Sequence, residues 1–135
     1  KFEAGTPNIA GAIGLGSAVS FINEIGYDHI QAHDSTLLQY GRDTLEAIES
    51  VTLIGASQHN AGIISFTVDG VHPHDVGTIL DHSGVAIRTG NHCAEPLMSR
   101  FGLTATCRAS FCVYNSKEDI DALATGINEA IRILG

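Results

Sequence analysis

Residues 88–96, RTGNHCAEP, bring a guanidinium, a glycine turn, an amide, an imidazole and a thiol together within six positions. Three chemistries fit those groups. A cysteine thiolate is a nucleophile, and a neighbouring Arg or imidazolium favours it over the thiol. Arg88 and His92 are close enough in sequence to Cys93 to act that way. A metal site would draw on His92 and Cys93 together with His72 and His74. A structural thiol would be buried and inert. Metal ligation is the weakest of the three, because structural zinc sites use paired spacings such as C-x2-C, and the chain has none. Adjacent His92 and Cys93 rarely turn both side chains to one ion, so no metal is expected. His72 and His74 instead flank Pro73 in what reads as a helix start, with Asp75 near the positive end of the dipole. Spacing alone leaves nucleophile and buried thiol both open.

Two other places could serve such a site. Arg108 is an isolated charge inside an apolar stretch, CRASFCVY (107–114). It either faces solvent on a half-exposed sheet or aims its planar fork at a carboxylate. By strand alternation Ser110, Cys112 and Tyr114 share its face, and Cys112 and Tyr114 read as packing. Upstream, Gly5-Thr6-Pro7-Asn8 opens a helix. Free N–H groups and the helix dipole favour an anion such as a phosphate there, while ordinary capping by Thr6 explains the same residues equally well.

The elements that must position these groups follow from periodicity. Residues 7–25 carry Ala12, Leu15, Val19 and Ile22 in one helical row and Ala18, Phe21 and Ile25 in a second, which predicts a largely buried helix. Residues 27–49 form a second helix, with Ile30, Leu37, Leu38, Leu45 and Ile48 on one face. VTLIG (51–55) and GIISFTV (62–68) read as strands around a polar turn, residues 57–60. A short helix over 73–82 stops at Gly84. VAIR (85–88) is a short strand, residues 96–101 make one or two helical turns closed by Gly102, and 107–114 is a strand. Ser116 opens the last helix, with Asp119 completing a variant capping box. The pattern predicts one α+β domain, a small, mostly antiparallel sheet with helices packed on one face.

Composition narrows the function classes. The chain has 135 residues and a net charge of −8, from 7 basic and 15 acidic residues. Only Lys1 and Lys117 are lysines and no basic run exists, which argues against nucleic acid. No apolar run is long enough to span a bilayer, so no membrane role is expected. Three cysteines without a secretion signal fit reduced thiols and a cytoplasmic location. The opening KFEAGTPN lacks a Met and reads as the interior of a longer chain.

FEAGTPN, DVGTILDHSGVAIRTGNHCAEPLM and CRASFCVYNSKEDID, in that order, resemble the C-terminal portion of group II cysteine desulfurases of the SufS/CsdA type, over essentially the whole chain. The resemblance implies a fold type I enzyme that uses pyridoxal 5'-phosphate, works as a homodimer and converts L-cysteine to L-alanine. It implies that Cys93 accepts the sulfur as a persulfide and passes it to an acceptor protein of the SufE/SufU kind, for iron–sulfur cluster or thio-cofactor assembly. Arg108 would pair with the substrate carboxylate and Arg88 would line the same pocket. Thr6, with Gly5, would reach the cofactor phosphate of the second subunit. Selenocysteine lyase or cysteine sulfinate desulfinase activity on the same scaffold, or a non-catalytic sulfur carrier, are the alternatives. The family's loop usually reads Arg-x-Gly-His-His-Cys-Ala, and Asn91 stands here in place of its first His, with His92 retained. Neither lysine has the context of a cofactor lysine. Residues 1–135 are therefore expected to be a single small C-terminal domain, with 1–25 leading from an absent large domain. The chain alone should be inactive.

Overall fold

The computed structural model describes residues 2, 4–55, 57 and 61–135. The chain forms two compact units, residues 1–33 and 34–135.

The first unit is built on α1 (Ile9–Ile25). Asn8, not Thr6, caps it, its Oδ1 accepting from the Gly11 N–H at 2.9 Å. Gly26, at φ +86°, ends it by donating its N–H to the Ile22 carbonyl. Burial differs from expectation. α1 buries none of its residues, and Ile13 and Leu15 are each 67% exposed. Two apolar rows record what a helix is able to bury; within this unit the described residues supply no second layer to cover them.

The second unit takes the rest of α2 (Tyr27–Glu46), then β1 (Val51–Ile54), β2 (Ile63–Val68), α3 (Pro73–His82), β3 (Arg88–Gly90), α4 (Glu95–Phe101), β4 (Thr106–Ser110) and α5 (Lys117–Leu134). The four strands form one sheet in the order β1-β2-β4-β3, with every neighbouring pair antiparallel. Register and alternation fix its two faces. Leu53, Phe66, Cys107 and Thr89 lie in one row across the sheet, on the core face. Ile54, Ser65, Arg108 and Arg88 form the adjacent row, on the opposite face.

The core face meets α2, α3 and α5. Leu38, Leu45, Val76, Leu80, Leu123 and Ile127 join Ile64, Phe66 and Cys107 in one buried cluster. Phe66 is fully buried at its centre, and removing such a ring costs about 3–5 kcal/mol. α3 and α5 approach closely because Gly126 faces Leu80 with no side chain between them. The fold is thus the expected small α+β domain, with helices packed on one face of an antiparallel sheet. The short α4 borders the other face and closes at Gly102 in the left-handed conformation.

Two strands differ from the pattern. Val85 donates back to the Leu80 carbonyl as part of the α3 terminus, so β3 begins only at Arg88. β4 stops at Ser110. Asn115 Oδ1 accepts from the Cys112 N–H and its own N–H returns to the Cys112 carbonyl, folding residues 112–115 into a turn. Cys112 is exposed and Tyr114 is 81% exposed, so neither packs against the sheet. Asx chemistry outcompetes a run that alternation alone would extend.

Candidate functional site

The open face of the sheet places two arginines side by side. Arg88 and Arg108 are directly opposite across the β3–β4 ladder. Like charges in that position repel and destabilise a sheet. Neither shares an ion pair with another described residue, unlike Arg132, which pairs with Glu129. The Arg108 Nε–H is buried and has no hydrogen-bond partner. A buried donor left unmade is costly, and an anion entering here would both satisfy it and offset the Arg–Arg repulsion. The spacing of positive groups therefore suits a carboxylate.

Beside Arg108 lies a cavity of about 340 Å3, bordered by Ile54, Ser65, His92, Leu97, Phe101 and Thr106. Ser65 comes from β2, where IISFTV alternates Ile64, Phe66 and Val68 into the core and turns Ser65 the other way. That alternation is visible in sequence, yet it did not single out Ser65. The cavity wall from α4 was likewise not foreseen.

Cys93 follows β3 in a tight turn. The Ala94 N–H donates to the Asn91 carbonyl at 2.9 Å. Between them His92 and Cys93 adopt φ of +54° and +60°, the only non-glycine residues with positive φ among those described. Such a pair costs roughly 2–4 kcal/mol relative to ordinary backbone. Three side chains hold it. Asn91 Oδ1 accepts from the Cys93 N–H at 3.1 Å. His92 Nε2 sits 3.1 Å from the Thr106 carbonyl and 2.9 Å from its hydroxyl. Arg88 Nη2 donates to Cys93 Sγ at 3.7 Å.

A carbonyl only accepts, so His92 carries its proton on Nε2. Burial, first, with the nearby Arg108 and Arg88 charges, pushes the His92 pKa below its usual value; the bond to the Thr106 carbonyl opposes this. His92 is consequently a neutral anchor at neutral pH and not the cation that sequence proximity offered for stabilising a thiolate. Arg88 is the cation in hydrogen-bond contact with Cys93 Sγ. Thr106, 1% exposed, went unnoticed because an anchoring hydroxyl in a strand carries no distinguishing spacing.

The three thiols separate cleanly. Cys107 is buried on the core face, 3.7 Å from the Pro73 carbonyl, and burial pushes its pKa up to about 12. It is the inert structural thiol. Cys112 is exposed in its turn. Cys93 is exposed and within reach of a guanidinium. His72 caps α3, its Nδ1 accepting from the His74 N–H at 3.2 Å, with Pro73 in the first helical turn. Among the described residues no group of three His, Cys, Asp or Glu side chains converges on a common point.

Gly5 and Thr6 belong to the first unit. Both are exposed. Gly5 has φ +80° and nothing within 4 Å of where a Cβ would stand. Because Asn8 takes the cap, the Thr6 hydroxyl is not committed to that role.

The chain belongs to the aminotransferase class-V family, whose model matches residues 1–123. Within it the likeness is to cysteine desulfurases. The chain is 53% identical over its full length to a probable cysteine desulfurase of Halalkalibacterium halodurans, and covers 33% of that protein. It is 43% identical to a cysteine desulfurase of Escherichia coli O1:K1 / APEC, again over its full length and 33% of the relative. In three dimensions it matches the apo cysteine desulfurase of Thermococcus onnurineus NA1 with a TM-score of 0.91 and 41% identity, over 98% of this chain and 34% of that one. The S-sulfonic acid form of cysteine desulfurase CsdA from Escherichia coli gives 0.90 at 34% identity, over 98% and 33%. The chain thus spans about a third of the length of the curated relatives it matches.

Proposed function

We propose that residues 1–135 are the small C-terminal part of a cysteine desulfurase, with residues 1–25 leading out of a large cofactor-binding domain. The complete enzyme converts L-cysteine to L-alanine and leaves the sulfur on Cys93. One observation carries the reading: an exposed thiol is bonded to Arg88, and Arg88 stands in register with Arg108, whose buried Nε–H lacks a partner.

The residues fit one side of a pyridoxal phosphate site. Gly5 and Thr6 offer open backbone and an uncommitted hydroxyl to a phosphate. Lys117 does not fit the covalent anchor: it opens α5 with its ammonium 4.9 Å over the Tyr40 ring. When bound in the complete enzyme, the cofactor supplies the electron sink that weakens the carbon–sulfur bond. This chain supplies orientation and the acceptor. Arg108 takes the substrate carboxylate through its fork. Arg88 donates to Cys93 Sγ and holds the nucleophile beside the reacting sulfur. Ile54, Leu97 and Phe101 give the adjoining cavity an apolar border.

The functional unit is a homodimer in which Gly5 and Thr6 reach the cofactor of the second subunit. The persulfide then passes to an acceptor protein of the SufE/SufU kind for iron–sulfur cluster or thio-cofactor assembly, a cytoplasmic process. Among the described residues no single helix is long and apolar enough to cross a membrane.

The test assays alanine and sulfide from L-cysteine for the full-length enzyme and for this chain alone with added pyridoxal phosphate. The full-length enzyme turns over and the isolated chain does not exceed free pyridoxal phosphate. Turnover by the isolated chain, or full activity of a Cys93→Ala full-length enzyme, contradicts the reading.

A further inference from the structure

We infer that Asn91 is a positioning residue for the sulfur-accepting thiol, and that it works by closing the left-handed turn at His92 and Cys93 through both of its oxygens. This rests on Cys93 being the nucleophile.

Asn91 meets the turn twice. Its main-chain carbonyl takes the Ala94 N–H at 2.9 Å, and its side-chain oxygen takes the Cys93 N–H at 3.1 Å. The two residues so enclosed are not glycine and lie at positive φ. Left to themselves they relax toward negative φ. A change of that size at Cys93 swings the Cα–Cβ bond and carries Sγ away from Arg88. The His92 bond to Thr106 holds the middle of the turn to β4, but it acts on the residue before the nucleophile. Asn91 alone grips the Cys93 amide among the side-chain bonds of the turn. An imidazole at position 91 is larger and offers its nitrogens in a different geometry, so the amide is a distinct solution to holding this backbone and not a spare loop residue. Asn and Asp are the residues whose side chains close such a turn on their own backbone two residues on.

The prediction separates position from charge. An Asp at 91 keeps the acceptor and so keeps the turn, but sets a carboxylate beside the thiol, which disfavours the thiolate. An Ala or Leu at 91 loses the acceptor and adds no charge.

The full-length holoenzyme is made as Asn91→Ala, Asn91→Asp and Cys93→Ala. Steady-state kinetics with L-cysteine are combined with iodoacetamide labelling across pH, with Cys93 followed by peptide mass spectrometry. In Asn91→Ala, kcat falls about tenfold or more, while KM stays within about twofold because Arg108 is untouched. In Asn91→Asp, most of kcat returns at high pH and the Cys93 labelling profile moves to higher pH. Unchanged kcat and unchanged Cys93 labelling in Asn91→Ala overturn the inference. So does a loss of kcat that tracks lower thermal stability and is not restored by Asp at any pH. If Cys93→Ala retains full activity, the proposed function fails, while the labelling profiles still report whether Asn91 holds the turn.

Discussion

Arg88 and Arg108 face each other across neighbouring strands, on the sheet face turned away from the core. Neither shares an ion pair with a carboxylate among the described residues. A sheet gains nothing from that pairing by itself. Under the proposed function, the arrangement is a site whose electrostatics an anion completes, and Arg108 trades stability for binding.

Replacing Arg108 by Ala in the full-length enzyme lowers kcat/KM for L-cysteine by roughly 10- to 150-fold, the value of a hydrogen bond to a charged group. In this chain the same change leaves urea stability unchanged or raises it, because the facing charge is relieved. Kinetics and equilibrium unfolding check the two halves independently. A loss of stability as large as the loss in kcat/KM would make Arg108 a structural residue.

Protonation of His92 is the pH liability of the loop. Its folded pKa is depressed below 6.5, chiefly by burial. The unfolded chain therefore binds the proton more readily than the folded one. The stability that the neutral ring contributes is complete above about pH 6.5, and is lost as pH falls through the folded value. Urea unfolding midpoints across that range fall with pH in the wild type. The His92 part of the slope disappears in His92→Gln. An unaltered slope would show that the ring is not held neutral.

Thr106→Val keeps the shape of a buried residue and removes the hydroxyl 2.9 Å from His92 Nε2. The expected cost is about 1 kcal/mol of stability, with slower labelling of Cys93 as the turn loosens. Thermal unfolding and thiol labelling read the two effects together.

Iodoacetamide on the native chain modifies Cys93 and Cys112 and spares Cys107, whose thiol is buried with a pKa of about 12. Peptide mapping after a short exposure tests this. Early modification of Cys107 would contradict the packing of β4 against the helices.

Gly126→Val forces a branched side chain into Leu80, which is itself fully buried. Overpacking outweighs any gain in helix propensity and destabilises by about 1–3 kcal/mol. Chemical denaturation of this chain measures it.

The helix positions were legible where apolar rows met a cap or stop: α3 runs from Pro73 to His82, and α5 follows Ser116. The Cys93 loop was legible through its residue types. Its mechanics were not. Positive φ at His92 and Cys93 is invisible in residues that rarely adopt it, and the neutral state of His92 depends on burial by residues distant in sequence. The register that sets Arg88 against Arg108 needed β3 to begin at Arg88 itself, later than its apolar run suggested. α1 shows the opposite failure: its two apolar rows were plain, but periodicity does not say which segment covers them. Asn8 took the cap expected of Thr6 because the helix begins at Ile9, which puts Asn8 at the capping position with its Oδ1 on the Gly11 amide.

The claim that Cys93 accepts the sulfur is tested most directly by mass. The full-length enzyme is turned over with L-cysteine, without acceptor or reductant, quenched by alkylation and digested. The account predicts the added mass of one sulfur atom on the Cys93 peptide, absent in Cys93→Ser together with desulfuration. Sulfur carried on Cys112, or desulfuration continuing at the wild-type rate in Cys93→Ser, would contradict it.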